Sequence, residues 1–333
     1  MSQSRNIQTL SRFAPRRGLK NAHAQTLLGN FLPRTSALPP SEDRLFAIEE
    51  GVQVLCRCHW QPGKRHDAFT VIIVHGLEGS AESQYVIGTG SKAWMQGMNV
   101  VRMNMRNCGG TEQLTPTLYH SGLSDDIGAI VQTLVREDKL RRIALVGYSM
   151  GGNLVLKLVG DLGTSSPSEL KAAVGVSPAL DLAPSADALH HWENRMYEWK
   201  FLRGLRRRYR RKAALFPDRY ELKHLNNLRT LREFDDQITA RYSGFTGADD
   251  YYARASASQV AEFIAVPTLV IHSQDDPFIR MLPDTRAKLL SNPNVQLLET
   301  EHGGHCAFLA EPNGYDGRWA EQKCIEFLQL HAI

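Results

Sequence analysis

Gly147-Tyr148-Ser149-Met150-Gly151 sets one serine between two glycines, after the apolar run IALVGYS (143–149) and ahead of a helix-compatible segment, 153–162. The pattern is G-x-S-x-G, and a strand before it with a helix behind it is the setting in which such a serine can be a nucleophile. Glycines two positions to either side let strand and helix approach closely, and the turn lifts Ser149 Oγ clear of the backbone. The N–H of Met150, at the helix start, then points where negative charge would develop on a substrate oxygen. Taken alone, the same residues also describe a small serine in a crowded turn.

A hydroxyl is a poor nucleophile at neutral pH, so the chemistry requires a base and a group that orients it. Asp275 and Asp276 follow the strand candidate VPTLVIHS (266–273), and His305 follows NVQLLET (294–300) in the stretch ETEHGGHCAF. The order serine, aspartate, histidine suits a sheet that presents all three at successive strand ends. Asp276 is preferred to Asp275 because Pro277, Phe278 and Ile279 can fix its loop. His305 is preferred to His302 because two glycines precede it and Cys306-Ala307-Phe308 can anchor it. VHGLEGS (74–80) offers a second oxyanion donor, the N–H of Leu77, with His75 ordering the loop rather than acting as a base.

The elements needed to position these groups are visible as runs. TVIIVHG (70–76), MNVVRMN (98–104), IALVGYS and AAVGVSP (172–178) are short, continuous and β-branched, as strands buried on both faces are, whereas VQVLCRCHW (52–60) alternates. Helix-compatible segments at 83–97, 123–137 and 153–162 separate them, and the final stretch, GRWAEQKCIEFLQLHAI, carries one apolar stripe. The fold class expected is α/β, a mostly parallel central sheet with helices on both faces. The expected layout is an irregular arm over 1–44, a core formed by 45–180 and 261–333, and a helical cap inserted at 181–260 above the sheet's C-terminal edge.

The insertion contains RMYEWKFLRGLRRRYRRK (195–212), whose arginines surround Trp199, Phe201, Leu202, Leu205 and Tyr209. It reads either as a solvated helix with an apolar underside or as a lid whose basic face meets anionic membrane. The 333 residues, 42% hydrophobic and 22% charged, describe a globular chain. No run approaches the roughly eighteen apolar residues of a membrane span, and the first twenty lack the apolar middle of a secretory signal, so a cytoplasmic location is expected. The five cysteines are odd in number and scattered, with no metal-ligand spacing, and a net charge of +4 is too small to imply nucleic acid. No metal or organic cofactor is required by this chemistry.

HGLEGS, GYSMGGN, SPALDL, DDPF and EHGGHCAF, with NAHAQTLLG near the start and LYHSG at 118–122, resemble the YheT-like branch of the α/β-hydrolase superfamily nearly end to end. The resemblance implies a triad of Ser149, Asp276 and His305 acting on carboxylic esters or lipids of short to medium acyl chain. Some eukaryotic members of that group are phospholipases or acyl-ester synthases. Where relatives often carry Arg-Gly, this chain has Arg106-Asn107 in NMRNCGGTE. Two rival functions use the same features: an acyltransferase passing the acyl group to an alcohol, and a binding protein that retains the fold without catalysis.

Overall fold

The computed structural model describes residues 13–32 and 34–332. The part of the expected arm at 1–12, together with Pro33 and Ile333, lies outside the described residues. One sheet runs through the molecule: β1 (Glu42–Glu49), β2 (Val52–His59), β3 (Thr70–Val74), β4 (Asn99–Met103), β5 (Ile143–Tyr148), β6 (Leu170–Val176), β7 (Thr268–Ser273) and β8 (Val295–Thr300). Their order across it is β1-β2-β4-β3-β5-β6-β7-β8. β2 pairs antiparallel with β1 and β4, and every pair from β4 through β8 is parallel. Parallel strands must be crossed by intervening chain, and the crossovers supply helices to both faces.

Helices α1 (Ala22–Phe31), α2 (Gln84–Met95), α3 (Ser124–Arg136) and α4 (Met150–Leu162) precede or interleave the strands. α5 (Leu182–His190), α6 (Arg195–Leu215), α7 (Leu231–Phe234), α8 (Arg241–Ser243) and α9 (Ala248–Ala255) all lie in the segment between β6 and β7. α10 (Pro283–Ser291) and α11 (Trp319–Leu330) complete the chain. One face of the sheet packs Val71, Ile73 and Val146 against Val86 of α2 and Ile325 and Leu328 of α11. The other packs Ile72 and Leu145 against Ile130 of α3 and Leu154 and Leu158 of α4. Leu202, Leu205 and Phe234, from the segment between β6 and β7, belong to that second cluster.

The arm differs from its expectation of irregularity. Residues 22–31 form α1, started by Asn21, whose side chain accepts from the N–H of Ala24 at 3.0 Å, the usual role of an N-cap. β1 also begins inside the arm, at Glu42.

The loop at Arg106-Asn107 is held by a buried ion pair. Arg106 Nε and Nη2 donate to the two oxygens of Asp126 at 2.7 and 2.6 Å. Asn107 adopts φ 64°, a left-handed conformation that asparagine tolerates better than most residues.

Candidate active site

Four loops converge at the C-terminal edge of the parallel strands, those leaving β3, β5, β7 and β8. Between β5 and α4 the chain turns on Ser149 at φ 55° and ψ −119°. A side chain is held in this sparsely populated region only where its surroundings enforce it. The enforcement is close packing of backbone. A Cβ built on Gly147 would lie 2.2 Å from the carbonyl oxygen of Gly151, and one on Gly151 would lie 2.3 Å from that of His75. Because these obstacles are main chain and cannot swing aside, Gly147→Ala should destabilise the protein by about 3 kcal/mol or more. Thermal unfolding should report this as a fall of roughly 4 °C or more. A loss under about 1 kcal/mol would mean the turn can relax around the added methyl.

His305 Nδ1 lies 2.8 Å from Asp276 Oδ2, and its Nε2 lies 3.0 Å from Ser149 Oγ. An ionised carboxylate only accepts, so in the neutral imidazole Nδ1 carries the proton and Nε2 accepts from the Ser149 hydroxyl. The Asp276 side chain is fully buried. Its Oδ1 accepts from the N–H groups of Phe278 and Ile279 at 3.1 and 2.9 Å. Burial alone would raise this carboxyl, but the charge and hydrogen bond of His305, with the Ile279 N–H, outweigh it and hold it below the ordinary range. Burial would likewise lower His305, and the Asp276 charge, followed by Cys306, overcomes that and raises it above its ordinary 6.5.

The expected pairing of Asp276 with His305 is therefore the one that reaches Ser149. Asp275 has another set of partners: it accepts from the Ser273 hydroxyl, from the Gly304 N–H at 2.9 Å, and lies 3.2 Å from His302 Nδ1. These bonds tie the β7 and β8 loops together beside the site.

The β3 loop approaches from the other side, since a Cβ on Gly76 would come within 3.0 Å of Ser149 Cβ. His75 orders this loop. Its Nε2 accepts from the Met105 N–H at 3.1 Å, so Nδ1 is the protonated nitrogen and donates to the Gly76 carbonyl at 2.7 Å. Burial pulls its pKa down to about 4, which keeps it neutral. Leu77 and Met150 both line the cavity at Ser149, and neither N–H has an acceptor among the described residues. The first N–H groups of α4 have no partner within the helix, as at any helix start.

Of the supporting residues, Thr26, Gln25 and Asn194 carry no sequence signal of their role, whereas Phe278 and Cys306 fall in stretches expected to hold the loops. Thr26 of α1 accepts from the His305 N–H at 2.9 Å, and the Gln25 amide bonds both ways with the backbone of Leu309. Asn194 donates to the carbonyls of Ala188 and Pro277 at 2.9 and 2.7 Å, joining the segment above the site to the Asp276 loop. Phe278 lies against the His305 ring at 4.4 Å between centroids. Cys306 Sγ stands 3.6 Å from His305 Nε2. Spacing could have hinted only at α1, through the asparagine that caps it.

Above Ser149 is a cavity of about 100 Å³, walled mainly by Met150, Leu182, Leu205, Phe234, Phe278 and Ile279. Asp235 is a polar point on this wall. It accepts from the hydroxyls of Tyr252 and Thr239 at 2.7 and 2.8 Å, and burial pushes it up to about 6. No group of three or more His, Cys, Asp or Glu side chains able to hold a metal occurs among the described residues.

Comparison with known proteins shows the family of the chain. The family model described as alpha/beta hydrolase fold matches residues 70–312. The chain belongs to that family. It is 33% identical over 332 residues to YheT of Escherichia coli (strain K12), covering 99% of this chain and 96% of that protein, which puts it in the YheT-like branch. The monoacylglycerol lipase of Saccharomyces cerevisiae is 29% identical over 269 residues, 78% of this chain and 59% of the yeast protein. Human phospholipase ABHD3 is 27% identical over 256 residues, 76% of this chain and 60% of the human one. Among solved structures, the Pyrococcus furiosus esterase Pf2001 matches with a TM-score of 0.59 at 16% identity, over 90% of this chain and 99% of that one. That likeness bears on the fold.

Proposed function

We propose that this α/β hydrolase is a serine esterase that cleaves carboxylic esters of short to medium acyl chain through Ser149, His305 and Asp276. The observation that carries the reading is the unbroken chain of hydrogen bonds from Asp276 through His305 to Ser149. Oγ attacks the ester carbonyl as His305 Nε2 takes its proton, and Asp276 stabilises the imidazolium that forms. The N–H groups of Met150 and Leu77 hold the oxyanion. His305 returns the proton to the departing alcohol, then activates water to release the acid from the acyl-enzyme.

Relatives named as lipases and phospholipases support an ester or lipid substrate. The small apolar cavity supports the limit on chain length. Helices α5 to α9 act in this reading as a cap, with 181–260 inserted between the two parts of the core. A reducing, cytoplasmic setting fits the five unpaired cysteines. Among the described residues, no helix is long and apolar enough to cross a membrane.

A series of p-nitrophenyl acetate, butyrate, octanoate and palmitate tests the reading. kcat/KM should peak at butyrate or octanoate and fall at least roughly tenfold at palmitate, because a chain that outgrows the cavity must leave methylenes in water. A maximum at palmitate would overturn the chain-length limit. Repeating the series with added alcohol distinguishes the alternatives: ester product in place of acid would mean an acyltransferase, and no turnover would mean a binding protein.

A further inference from the structure

Apart from the half-buried Arg206, the cations of α6 divide into two sets by what they touch. On the inner side, Arg208 Nε donates to Glu78 Oε1 at 3.0 Å, Arg211 pairs with Glu112 at 3.3 Å, and Lys212 Nζ donates to the Glu112 carbonyl at 2.7 Å. This set fastens the helix to the core. Gly204 belongs to the same seam, since a Cβ there would lie 2.1 Å from Glu78 Oε2. On the outer side, Arg195, Lys200, Arg203, Arg207 and Arg210 are exposed, and none forms an ion pair with any described residue. The fold does not use them.

Residues 195–212 hold nine basic side chains against one acid, Glu198, which is buried. The resulting excess of eight positive charges exceeds the whole chain's +4, so the remainder of the protein is net negative and the positive charge is local. Beside it stands an apolar group without cover: Trp192 is 79% exposed, Met196 54% and Trp199 60%. Trp199 is thus on the outside of the helix, contrary to its expected place on an apolar underside. Spacings of three, four, four and three residues from Met196 through Trp199, Arg203 and Arg207 to Arg210 put these on one face of α6, and Trp192 stands in the turn just ahead of the helix. Arg203 stacks over Trp199 at 5.4 Å.

We infer that this outer face of α6 docks the protein on an anionic lipid surface. Charge alone would suit any polyanion, but exposed tryptophans beside unpaired cations match the depth profile of a bilayer: indoles settle at the headgroup level and arginines bind lipid phosphates above them. The opposite face of the same helix lines the cavity over Ser149 with Phe201, Leu205 and Arg208. Docking therefore lays the roof of the cavity against the lipid. The binding itself is independent of the esterase reading.

Vesicle sedimentation of the full chain tests it, with phosphatidylcholine alone against phosphatidylcholine mixed with phosphatidylglycerol, at low and high salt. Two variants accompany the wild type: Arg203→Glu/Arg207→Glu/Arg210→Glu and Trp192→Ser/Trp199→Ser. These positions are exposed, so both variants should keep the wild-type Tm and turnover of a soluble short-chain ester. Binding should require the anionic lipid and weaken with salt. It should fall roughly a hundredfold in the triple arginine variant and several-fold in the tryptophan variant. Equal sedimentation with neutral and anionic vesicles, or full binding by the arginine variant, would overturn the inference. So would a tryptophan variant that binds like wild type while DNA displaces both, because the face would then be reading charge alone.

Discussion

Ser149→Ala should abolish turnover, with kcat down on the order of 10⁶, and should no longer be labelled by a fluorophosphonate probe. Ser149→Gly should be as inactive, and yet more stable than the alanine variant. Both lose the hydroxyl that faces His305 Nε2, so the loss of that contact cancels in the comparison. They differ in the Cβ, which at φ 55° and ψ −119° is held in a region costing about 1–3 kcal/mol. Glycine is free of that strain, while its extra freedom in the unfolded chain offsets about 0.5–1 kcal/mol. The net expectation is glycine over alanine by roughly 1 kcal/mol in denaturant unfolding, the reverse of their usual order. Labelling that persists in Ser149→Ala would sink the assignment of the nucleophile. An alanine variant more stable than the glycine one would remove the strain argument and leave the chemistry standing.

The inner strands were legible because they are buried on both faces. β3, β4, β5 and β7 read as continuous apolar runs with bounds within a few residues of those observed. β1 escaped notice for the opposite reason. It is an edge strand, EDRLFAIE, in which Phe46 alone is buried, so no alternation survives in the sequence. α1 was hidden because its stability is tertiary: Gln25 and Thr26 bond to backbone 284 and 279 residues away, and no local period encodes such partners. Trp199 misled because a large apolar residue on an amphipathic helix is ordinarily turned inward, and here the inner face is filled by Phe201, Leu202, Leu205 and Tyr209.

The choice between Asp275 and Asp276 shows the same division. Pro277 and the apolar pair after it suggested which loop residue would be fixed. What fixes it is a pair of backbone N–H groups donating to one carboxylate oxygen, which leaves the other for His305. The sequence carries the residues of that arrangement but not its direction. Direction matters chemically, because it determines which nitrogen of His305 is free to face Ser149.

That asymmetry makes Asp276→Asn a sharp test. The N–H groups of Phe278 and Ile279 require an acceptor, so the amide oxygen must take the place of Oδ1 and the NH₂ the place of Oδ2. A donor then faces His305 Nδ1, which must give up its proton, and the imidazole is left with N–H at Nε2. In that tautomer His305 cannot accept from Ser149, and kcat should fall about 10⁴-fold with the fold intact. The pH profile should move as well. His305 acts as a base only when neutral, so kcat/KM rises with pH as the imidazole loses its proton, and in the wild type the midpoint should lie above 6.5 because the Asp276 charge raises it. Removing that charge leaves burial, which acts downward, opposed only by the smaller effect of Cys306, so the midpoint in Asp276→Asn should lie below that of the wild type. The same coupling acts on stability. Asp276 contributes above its unfolded pKa and loses that contribution as pH falls through its lowered folded value. His305 contributes below its unfolded pKa and loses that contribution as pH rises through its raised one. The pair is therefore strongest between the unfolded pKa of the carboxyl and that of the imidazole, and the stability difference between wild type and variant should narrow as pH moves out of that window toward either folded value. A variant with unchanged midpoint and only a small loss of rate would show that Asp276 neither charges nor orients His305.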